Sequence, residues 1–491
     1  MAEKRKQSNK ILLLAAIAPG LYPVFFFYSK NFPSVNSWEH LGFFIVTFFL
    51  VPIAVFFVAR YIFGLLPLQK YEKYLLPFLN IFTLLYLLKV CFYIGIEKDK
   101  ILIAAVVAAL LSLLIHKHLL KIIFFEFLLA AIGLVSLVIT MVSFLSIDEA
   151  WRKQPDGIAS VSFQKQPNVY LIQADGYANF AELKKPHYNF DNSNFEQFLE
   201  DQNFTFYPNY RSNYSTTVES NVTLFNMKHH YYNRSIGYNE IYNGRNMIIS
   251  ENPVLDAFKN NGYKTYFLTE TPYLIANRPA MGYDATNFPY GDMKYIRNGA
   301  RRIKNVEPDF KKFVNEKIAQ PKFFFVQLLN PWHVTSVDHS SKNKETEREL
   351  YLERLQETNH LLESMLSTIL ESDPKALIVL MSDHGGFVGM DHTGEKRTKN
   401  LNRDFQYSIF GANLAIAWPE NNAPTYDTEL KSSVNLFRVL FSYLSENEMY
   451  LDHLQENGSY LIIKEGAKDG IYQTIDNQGN VTFKPLDSLA L

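Results

Sequence analysis

Five apolar stretches in the first 146 residues, at about 11–28, 41–63, 74–96, 101–116 and 122–145, constrain this chain more than any other feature. Crossing hydrocarbon by helix takes about 20 apolar residues, with roughly 17–25 tolerated. The second, third and fifth runs meet this. The fourth is short, and either borrows residues up to Leu120 or tilts against its neighbours. Lys4, Arg5, Lys6 and Lys10 precede the first run, and Ala16-Ile17-Ala18 imitates a signal-peptide cleavage site. Pro19 would directly follow that cut and four more apolar runs come after, so the run reads as an uncleaved anchor. The expectation is an N-terminal five-helix transmembrane bundle over residues 1–146.

Charge separates this part from the rest. Residues 1–146 carry 13 Lys/Arg against 6 Asp/Glu, whereas the whole chain has 48 against 49 and a net charge of -1. The near balance excludes a strongly basic nucleic-acid binder. One Cys in 491 residues excludes a disulfide scaffold and a Cys-rich zinc module. With the N-terminus in the cytoplasm, the inner ends hold Lys4, Arg5, Lys6, Lys10, Arg60, Lys70, Lys73, Lys117 and Lys121. The outer ends hold Lys30, Lys98, Lys100, Arg152 and Lys153. This excess of inner basic residues places everything after Ser146 outside the cytoplasm. Lys89 and Glu126 stand close to span ends and are expected to snorkel.

Residues 147–166 are polar, contain Pro155-Asp156-Gly157, and read as a juxtamembrane linker. Over 167–450, short apolar runs (Val169–Ala174, Tyr263–Leu268, Phe323–Leu328, Ala376–Met381) alternate with helical patterns such as Asn194–Glu200, Pro253–Lys259 and Glu347–Leu370. Near-continuous apolar strands separated by helices predict an α/β fold, a mostly parallel sheet with helices on both faces. Its site lies at the carboxyl ends of the strands. Residues 451–491 form a small β-rich antiparallel appendage, with strands at Tyr460–Lys464, Ile471–Ile475 and Val481–Lys484.

Two of these strands end in a carboxylate: one runs into Asp175-Gly176, the other into Ser382-Asp383-His384-Gly385-Gly386. Aspartate and imidazole side by side at strand ends suit a divalent metal; the plainer alternative makes both aspartates turn residues. Between them lies Ser212-Asn213-Tyr214-Ser215-Thr216-Thr217-Val218-Glu219-Ser220. A hydroxyl at a helix N-terminus beside a metal can attack a phosphate, because the metal lowers its pKa and the helix dipole favours the anion. The alternative is an N-cap at Ser215 or Thr216.

This ordered set resembles the alkaline phosphatase-like superfamily, which includes sulfatases, phosphodiesterases and membrane phospho-group transferases, over roughly 166–444. Sulfatases carry a nucleophile followed three positions later by Ser and nine later by Gly; Thr217, Ser220 and Asn226 match, with Asn in place of Gly. The stretch is also similar to a group of membrane sulfatase-like proteins with Ser-Asn-Tyr-x-x-Thr-x-x-Ser, again matching Thr217. The resemblance implies that Asp175, Thr217, Asp383 and His384 hold a metal, Mn or Zn. Ser215 and Thr216 remain rival nucleophiles. It also points to His333, after the strand Phe323–Leu328, as a substrate contact, with Trp332 its rival for that place. His392, soon after Asp383-His384, is a further candidate. Arg397 and Lys399 are candidate phosphate partners or solvated charges, and His229, His230 and His339 are expected at the surface.

The Cys/Ser-x-Pro/Ala-x-Arg motif that sulfatases convert to formylglycine is absent, which argues against sulfate-ester hydrolysis. Membrane spans before such a domain resemble lipoteichoic-acid synthases and lipid A phosphoethanolamine transferases. The resemblance implies a phospho-alcohol transferase, with a membrane lipid as donor and an envelope glycan or lipid as acceptor, working through a phospho-threonine. Asp175 stands where those transferases carry Glu. That departure keeps open a membrane-tethered phosphodiesterase or phosphatase; an inactive glycan-binding anchor is the third reading.

Overall fold

The computed structural model describes residues 2–65, 71–92, 97–145, 147–234, 241–296, 304–335 and 343–488. His339 lies outside them. The chain divides into two compact units: Met1–Ile147 with Ala276–Arg278 and Met293–Asn298, and Asp148–Ile275 with Pro279–Asp292 and Gly299–Leu491.

In the first unit, apolar sequence forms helices α1 (Ala2–Val35), α2 (Trp38–Ile45), α3 (Val51–Leu65), α4 (Glu72–Phe92), α5 (Lys98–Ile115) and α6 (Leu119–Leu145). A π-helical turn at Val46–Leu50 joins α2 to α3 without a break. Among the described residues, four helical segments are long and apolar enough to cross a membrane, not the five expected: Ser8–Val35, Trp38–Gly64, Glu72–Phe92 and the 47-residue Lys98–Phe144. The fourth and fifth runs count as one segment because only the 3₁₀ turn His116–His118 stands between them. Helical geometry is lost there, with Ile115 at φ −118°, ψ 13°.

Packing shows that this segment doubles back. The end of α5 meets the start of α4, with the His116 and Tyr74 rings 4.7 Å apart. Ile123, early in α6, packs with Leu12 and Phe56, while Phe144, at its end, stacks on Phe32 of α1 at 5.3 Å. Thus α6 runs parallel to α1, and its end lies far from the chain's N-terminus. One expectation is corrected here. Glu126 is 1% exposed and accepts from Asn80 Nδ2 at 2.9 Å, while the same nitrogen donates to the Ala15 carbonyl at 3.0 Å, so it turns into the helix bundle. Lys89, in the last turn of α4, lies 3.7 Å from Glu97 at the start of α5. In hydrocarbon a polar group without a partner is costly, so α1, α4 and α6 supply partners to one another.

The second unit holds a seven-stranded sheet, built from β1 (Val169–Ala174), β2 (Phe204–Phe206), β3 (Lys264–Thr269), β4 (Ala285–Thr286), β5 (Lys322–Leu328), β6 (Leu377–Met381) and β7 (Leu414–Ala417). The order is β2-β7-β6-β1-β5-β3-β4. Only the β7 pairings are antiparallel. Strands β1, β5 and β6 are buried along their whole length, which is why they read as unbroken apolar runs. A second sheet, β8 (Ser459–Ile463), β9 (Gly470–Ile475) and β10 (Val481–Pro485), is antiparallel.

Helices α7 (Phe180–Leu183), α8 (Ser193–Asp201), α9 (Thr217–Asn226), α10 (Gly244–Ile249), α11 (Pro253–Asn260), α12 (Glu307–Val314), α13 (Lys344–Ser372), α14 (Arg403–Phe410) and α15 (Leu436–Ser445) cover it. The expected linker is no free tether. Arg438 of α15, fully buried, reaches Asp156 Oδ2 at 2.8 Å and Gln154 Oε1 at 2.8 Å. Removing one partner from a buried ion pair typically costs about 3–5 kcal/mol, so this clamp holds the segment to the domain. Gln154 Nε2 in turn donates to the Asn226 carbonyl at 2.5 Å, capping the end of α9.

Candidate active site

Gln173 of β1 pairs with Met381 of β6 in parallel register. Two residues further along each strand, Asp175 and Asp383 therefore emerge side by side at the carboxyl ends. The chain crosses over β1 in passing from β5 to β6, so this is the point where the strand order reverses, the usual ligand crevice of such sheets. Close packing fixes the turns behind them. Gly176 has φ +69°, and a Cβ there would lie 2.3 Å from the Trp332 carbonyl oxygen. A Cβ on Gly386 would run into the Tyr351 ring at 2.3 Å. Tyr351 of α13 donates to the Gly176 carbonyl at 2.9 Å and accepts from the Ala178 N–H at 3.0 Å.

Asp383 Oδ1 accepts the N–H groups of Gly176 and His384, each at 3.1 Å. Its Oδ2 and the Oδ1 of Asp175 are buried without any hydrogen-bond partner. Both orphans face His384 Nε2, at 3.5 and 3.7 Å. The other imidazole nitrogen, Nδ1, lies 2.9 Å from the Gly385 carbonyl, so it carries the proton and leaves the Nε2 lone pair to the cavity. Burial, and then the neighbouring Asp383, push the Asp175 carboxyl well above the usual range, while the Thr217 hydrogen bond opposes this. Two buried carboxylate oxygens and an imidazole nitrogen, within 4.8 Å of one another, fit a divalent cation. Thr217 is the first residue of α9, and its Oγ1 donates to Asp175 Oδ2 at 3.2 Å. Asp175, Thr217, Asp383 and His384 thus meet at one point.

A cavity of about 270 Å³ opens over this cluster, lined also by Ser215, Thr216, Thr271, Tyr273, His333 and Lys396. His333 Nδ1 donates to the Val334 carbonyl at 2.6 Å, and the ring sits 5.8 Å from that of His384. Burial first, then His384, hold His333 down to about 3, so it is neutral at ordinary pH. Trp332 also lines the cavity. Thr216 is the N-cap of α9, but its hydroxyl makes no capping bond. His392 does not line the cavity, although Thr393 beside it does. The buried His229 and His230 correct the surface expectation: they pack against Tyr214 and Tyr232 in an aromatic cluster. A larger cleft of about 650 Å³, beside Asn168, Pro321 and Asp373, lies at the amino ends of the strands, away from this chemistry.

Lys396 is the residue that sequence reasoning missed. The 3₁₀ turn Thr393–Arg397 carries it into the cavity, where Nζ donates to the Ser215 carbonyl at 3.1 Å and lies 5.1 Å from the Phe387 ring. Arg397 and Lys399, which stood out in the sequence, do not line the cavity. The Arg397 carbonyl accepts from Lys464 and Glu465, and Lys399 lies over the Phe483 ring. Burial pulls the Lys396 ammonium down to about 8, against the opposing pull of Glu219.

Two measurements check this geometry. Asp383→Ala is expected to weaken divalent-metal binding at least about 100-fold, read by elemental analysis, with the circular dichroism spectrum unchanged because Asp383 lies beyond β6. Lys396 is charged below about 8 and neutral above it, so sulfate should bind well at pH 7 and progressively worse as pH rises through 8. Sulfate keeps its charge over that range, and the measurement is made with divalent metal added, because the raised Asp175 carboxyl would otherwise titrate in the same cavity.

No curated protein matches this chain. Among solved structures, the chain is similar to the C-terminal periplasmic domain of EcEptC from Escherichia coli in complex with Zn, with 15% identity over 65% of this chain and 96% of that one, at a TM-score of 0.44. Integral membrane lipooligosaccharide phosphoethanolamine transferase A from Neisseria meningitidis has 11% identity over 89% and 95%, at 0.40. The lipoteichoic acid synthase LtaP from Listeria monocytogenes has 15% identity over 67% and 91%, at 0.42. The Sulfatase family model matches residues 167–445, more than half of the chain, which therefore belongs to the sulfatase family of the alkaline phosphatase-like superfamily of enzymes.

Proposed function

We propose that this chain is a membrane-anchored, metal-dependent transferase that moves a phospho-alcohol group from a membrane lipid to an envelope glycan or lipid, outside the cytoplasm, through a phospho-Thr217 intermediate. The observation that carries the reading is the Thr217 hydroxyl, 3.2 Å from Asp175 at the start of α9, in a cavity that also presents the Lys396 ammonium. A hydroxyl nucleophile suits phosphorus, and the sequence lacks the motif for a formylglycine. Cys91, the only cysteine, sits in α4.

When bound by Asp175, Asp383, His384 and Thr217, a divalent ion such as Mn²⁺ or Zn²⁺ supplies positive charge that acidifies the hydroxyl and offsets charge on phosphate oxygens. Thr217 Oγ1 forms a bond to phosphorus as the bond from phosphorus to the lipid oxygen breaks, and the threonine proton leaves with that lipid alcohol. The N–H groups of the first turn of α9 and the Lys396 ammonium hold the non-bridging oxygens. In the second step the acceptor's hydroxyl oxygen bonds to phosphorus, the phosphorus–Oγ1 bond breaks, and the acceptor's proton returns to Thr217. His333, neutral with Nε2 free, is the base facing that proton. Asp175, in place of the Glu of the transferases it resembles, favours a second reading in which water is the acceptor and the enzyme is a phosphodiesterase.

The membrane unit supports a lipid donor, since enzyme and lipid share one surface. The N-terminal basic residues stay in the cytoplasm and α6 ends at the opposite end of the bundle, so residue 147 emerges outside.

Thr217→Ala is expected to lower release of diacylglycerol from lipid by at least about 10³-fold, with Thr217→Ser retaining a measurable part. Ser215→Ala and Thr216→Ala should stay within about tenfold of the native rate, as lost caps or contacts do. If Thr216→Ala is dead and Thr217→Ala active, the nucleophile is the wrong one. Label from the lipid accumulating on added glycan supports transfer, whereas free phospho-alcohol formed equally fast without acceptor supports the hydrolase. For orientation, a reporter that fluoresces only in the cytoplasm, fused after Leu491, should stay dark; a bright signal contradicts it.

A further inference from the structure

The first unit contains an apolar slot that no helix of the unit fills. Its volume is about 470 Å³, and its walls include Phe25 and Phe32 of α1, Leu41 and Ile45 of α2, and Leu137 and Met141 of α6. Packing holds these walls in place. Phe32 stacks on Phe144 of α6 at 5.3 Å, and the Tyr28 and Phe44 rings lie 5.1 Å apart. Helix α1 kinks at Asn31, with φ −125°. Pro33 lacks the N–H that the Ser29 carbonyl would take in a regular helix, and Thr140 Oγ1 of α6 donates to that carbonyl at 3.4 Å.

The two ends of the slot differ. At the inner end, glycines bring the helices into contact. A Cβ on Gly20 would lie 2.4 Å from the Phe48 carbonyl oxygen, and one on Gly133 would lie 3.2 Å from Tyr22 and Phe25. The slot therefore stops at Leu21 and Phe49. At the outer end the lining turns polar, with Asn36, Ser37 and Trp38. Trp38 is 85% exposed, as suits an aromatic ring at a bilayer–water interface. Ser37 caps α2 by accepting the His40 N–H at 3.3 Å, and Asn36 Oδ1 accepts from Asn277 Nδ2 at 3.1 Å. Asn277 stands four residues along the chain from Tyr273, which lines the catalytic cavity.

These dimensions decide the occupant. At about 1.5 Å per residue, Leu21 to Asn36 covers about 22 Å along α1, more than the roughly 15 Å depth of one leaflet. A further helix, about 10 Å across, would need roughly 1,700 Å³ over that length. A single hydrocarbon chain with a polar end, entering from the outer leaflet, matches the volume, the depth and the polarity. Such a chain gains no hydrophobic free energy on leaving the bilayer, because lipid tails are as apolar as the walls. Preference then comes from fit, and a closed end makes fit depend on length.

We infer that this slot holds one acyl chain of the lipid donor, with the headgroup end at Asn36, Ser37 and Trp38, and that its closed end selects the chain length. The inference rests on the lipid-donor reading and adds a determinant for the donor's tail.

The test uses the full-length, metal-loaded protein in phosphatidylcholine vesicles of fixed chain length, so that bilayer thickness stays constant. Phosphatidylglycerol and phosphatidylethanolamine are added together at low mole fraction, their chains lengthened stepwise, and diacylglycerol release is measured. Release should pass through a maximum and fall at least about fivefold for the longest chains, the cost of overfilling a packed site. Leu21→Ala, which deepens the closed end, should move that maximum to longer chains. Phosphatidylglycerol carrying a diazirine at the end of one chain should label Leu21 and Phe49 on photolysis. Leu137→Trp, which fills the slot, should reduce this labelling at least about tenfold, whereas Val138→Trp on the adjacent lipid-facing surface should not. A maximum that stays put in a folded Leu21→Ala protein, or label spread evenly over the lipid-facing helices, overturns the inference and leaves the transferase reading standing. No diacylglycerol from any donor with the native protein overturns the lipid-donor reading and the inference with it.

Discussion

Two carboxylates forced together in a buried crevice are the interaction on which the rest of this catalytic unit depends. Parallel register between β1 and β6 leaves Asp175 and Asp383 no choice but to emerge together. Their orphaned oxygens, both facing His384 Nε2, form an arrangement that is poor as a structure and good as a cation site. Like charges in a low-dielectric setting repel strongly, and protonation or a bound cation is the physical remedy. Everything nearby serves to hold that unfavourable geometry. Tyr351 bolts the turn after β1, Gly176 lets the Trp332 loop approach, and the Asp383 carboxylate is pinned by two backbone N–H groups.

Helix α9 is placed from both ends. Its first residue meets Asp175, and its last carbonyl is capped by Gln154, which Arg438 also holds. Residues that look like a tether in sequence thus belong to the scaffold of the site. In the membrane unit, the paired polar groups of Asn80, Glu126 and the Ala15 carbonyl do the same work, tying three helices together where no water is present to satisfy them.

How much of this was legible in the sequence depended on whether a residue's role was set locally. Strands β1, β5 and β6 are buried along their length, so their apolar runs announce them, and Asp175, Asp383 and His384 are conspicuous because they end such runs. Thr217 was singled out only through the family resemblance, with Ser215 and Thr216 left as rivals. Short β2 and β7 carry three and four residues and take their identity from sheet pairing, which no local pattern shows. Lys396 was hidden in a charged run, since only the turn at Thr393–Arg397 and a carbonyl 181 residues away decide which cation faces the cavity. His229 and His230 looked like surface residues because burial among Tyr214, Tyr232 and Tyr460 comes from distant segments. The two last apolar runs of the first unit form the separate helices α5 and α6, yet only the three-residue turn His116–His118 divides them, so they count as one continuous apolar segment.

The central claim is that Thr217, not a neighbouring hydroxyl and not water, bonds to phosphorus. It is tested most directly by acid-quenching the metal-loaded protein during turnover of lipid donor and sequencing the modified peptide by mass spectrometry. A phospho-alcohol adduct on Thr217 is the result expected. Turnover with no adduct on the peptide, or an adduct confined to Ser215 or Thr216, would contradict it.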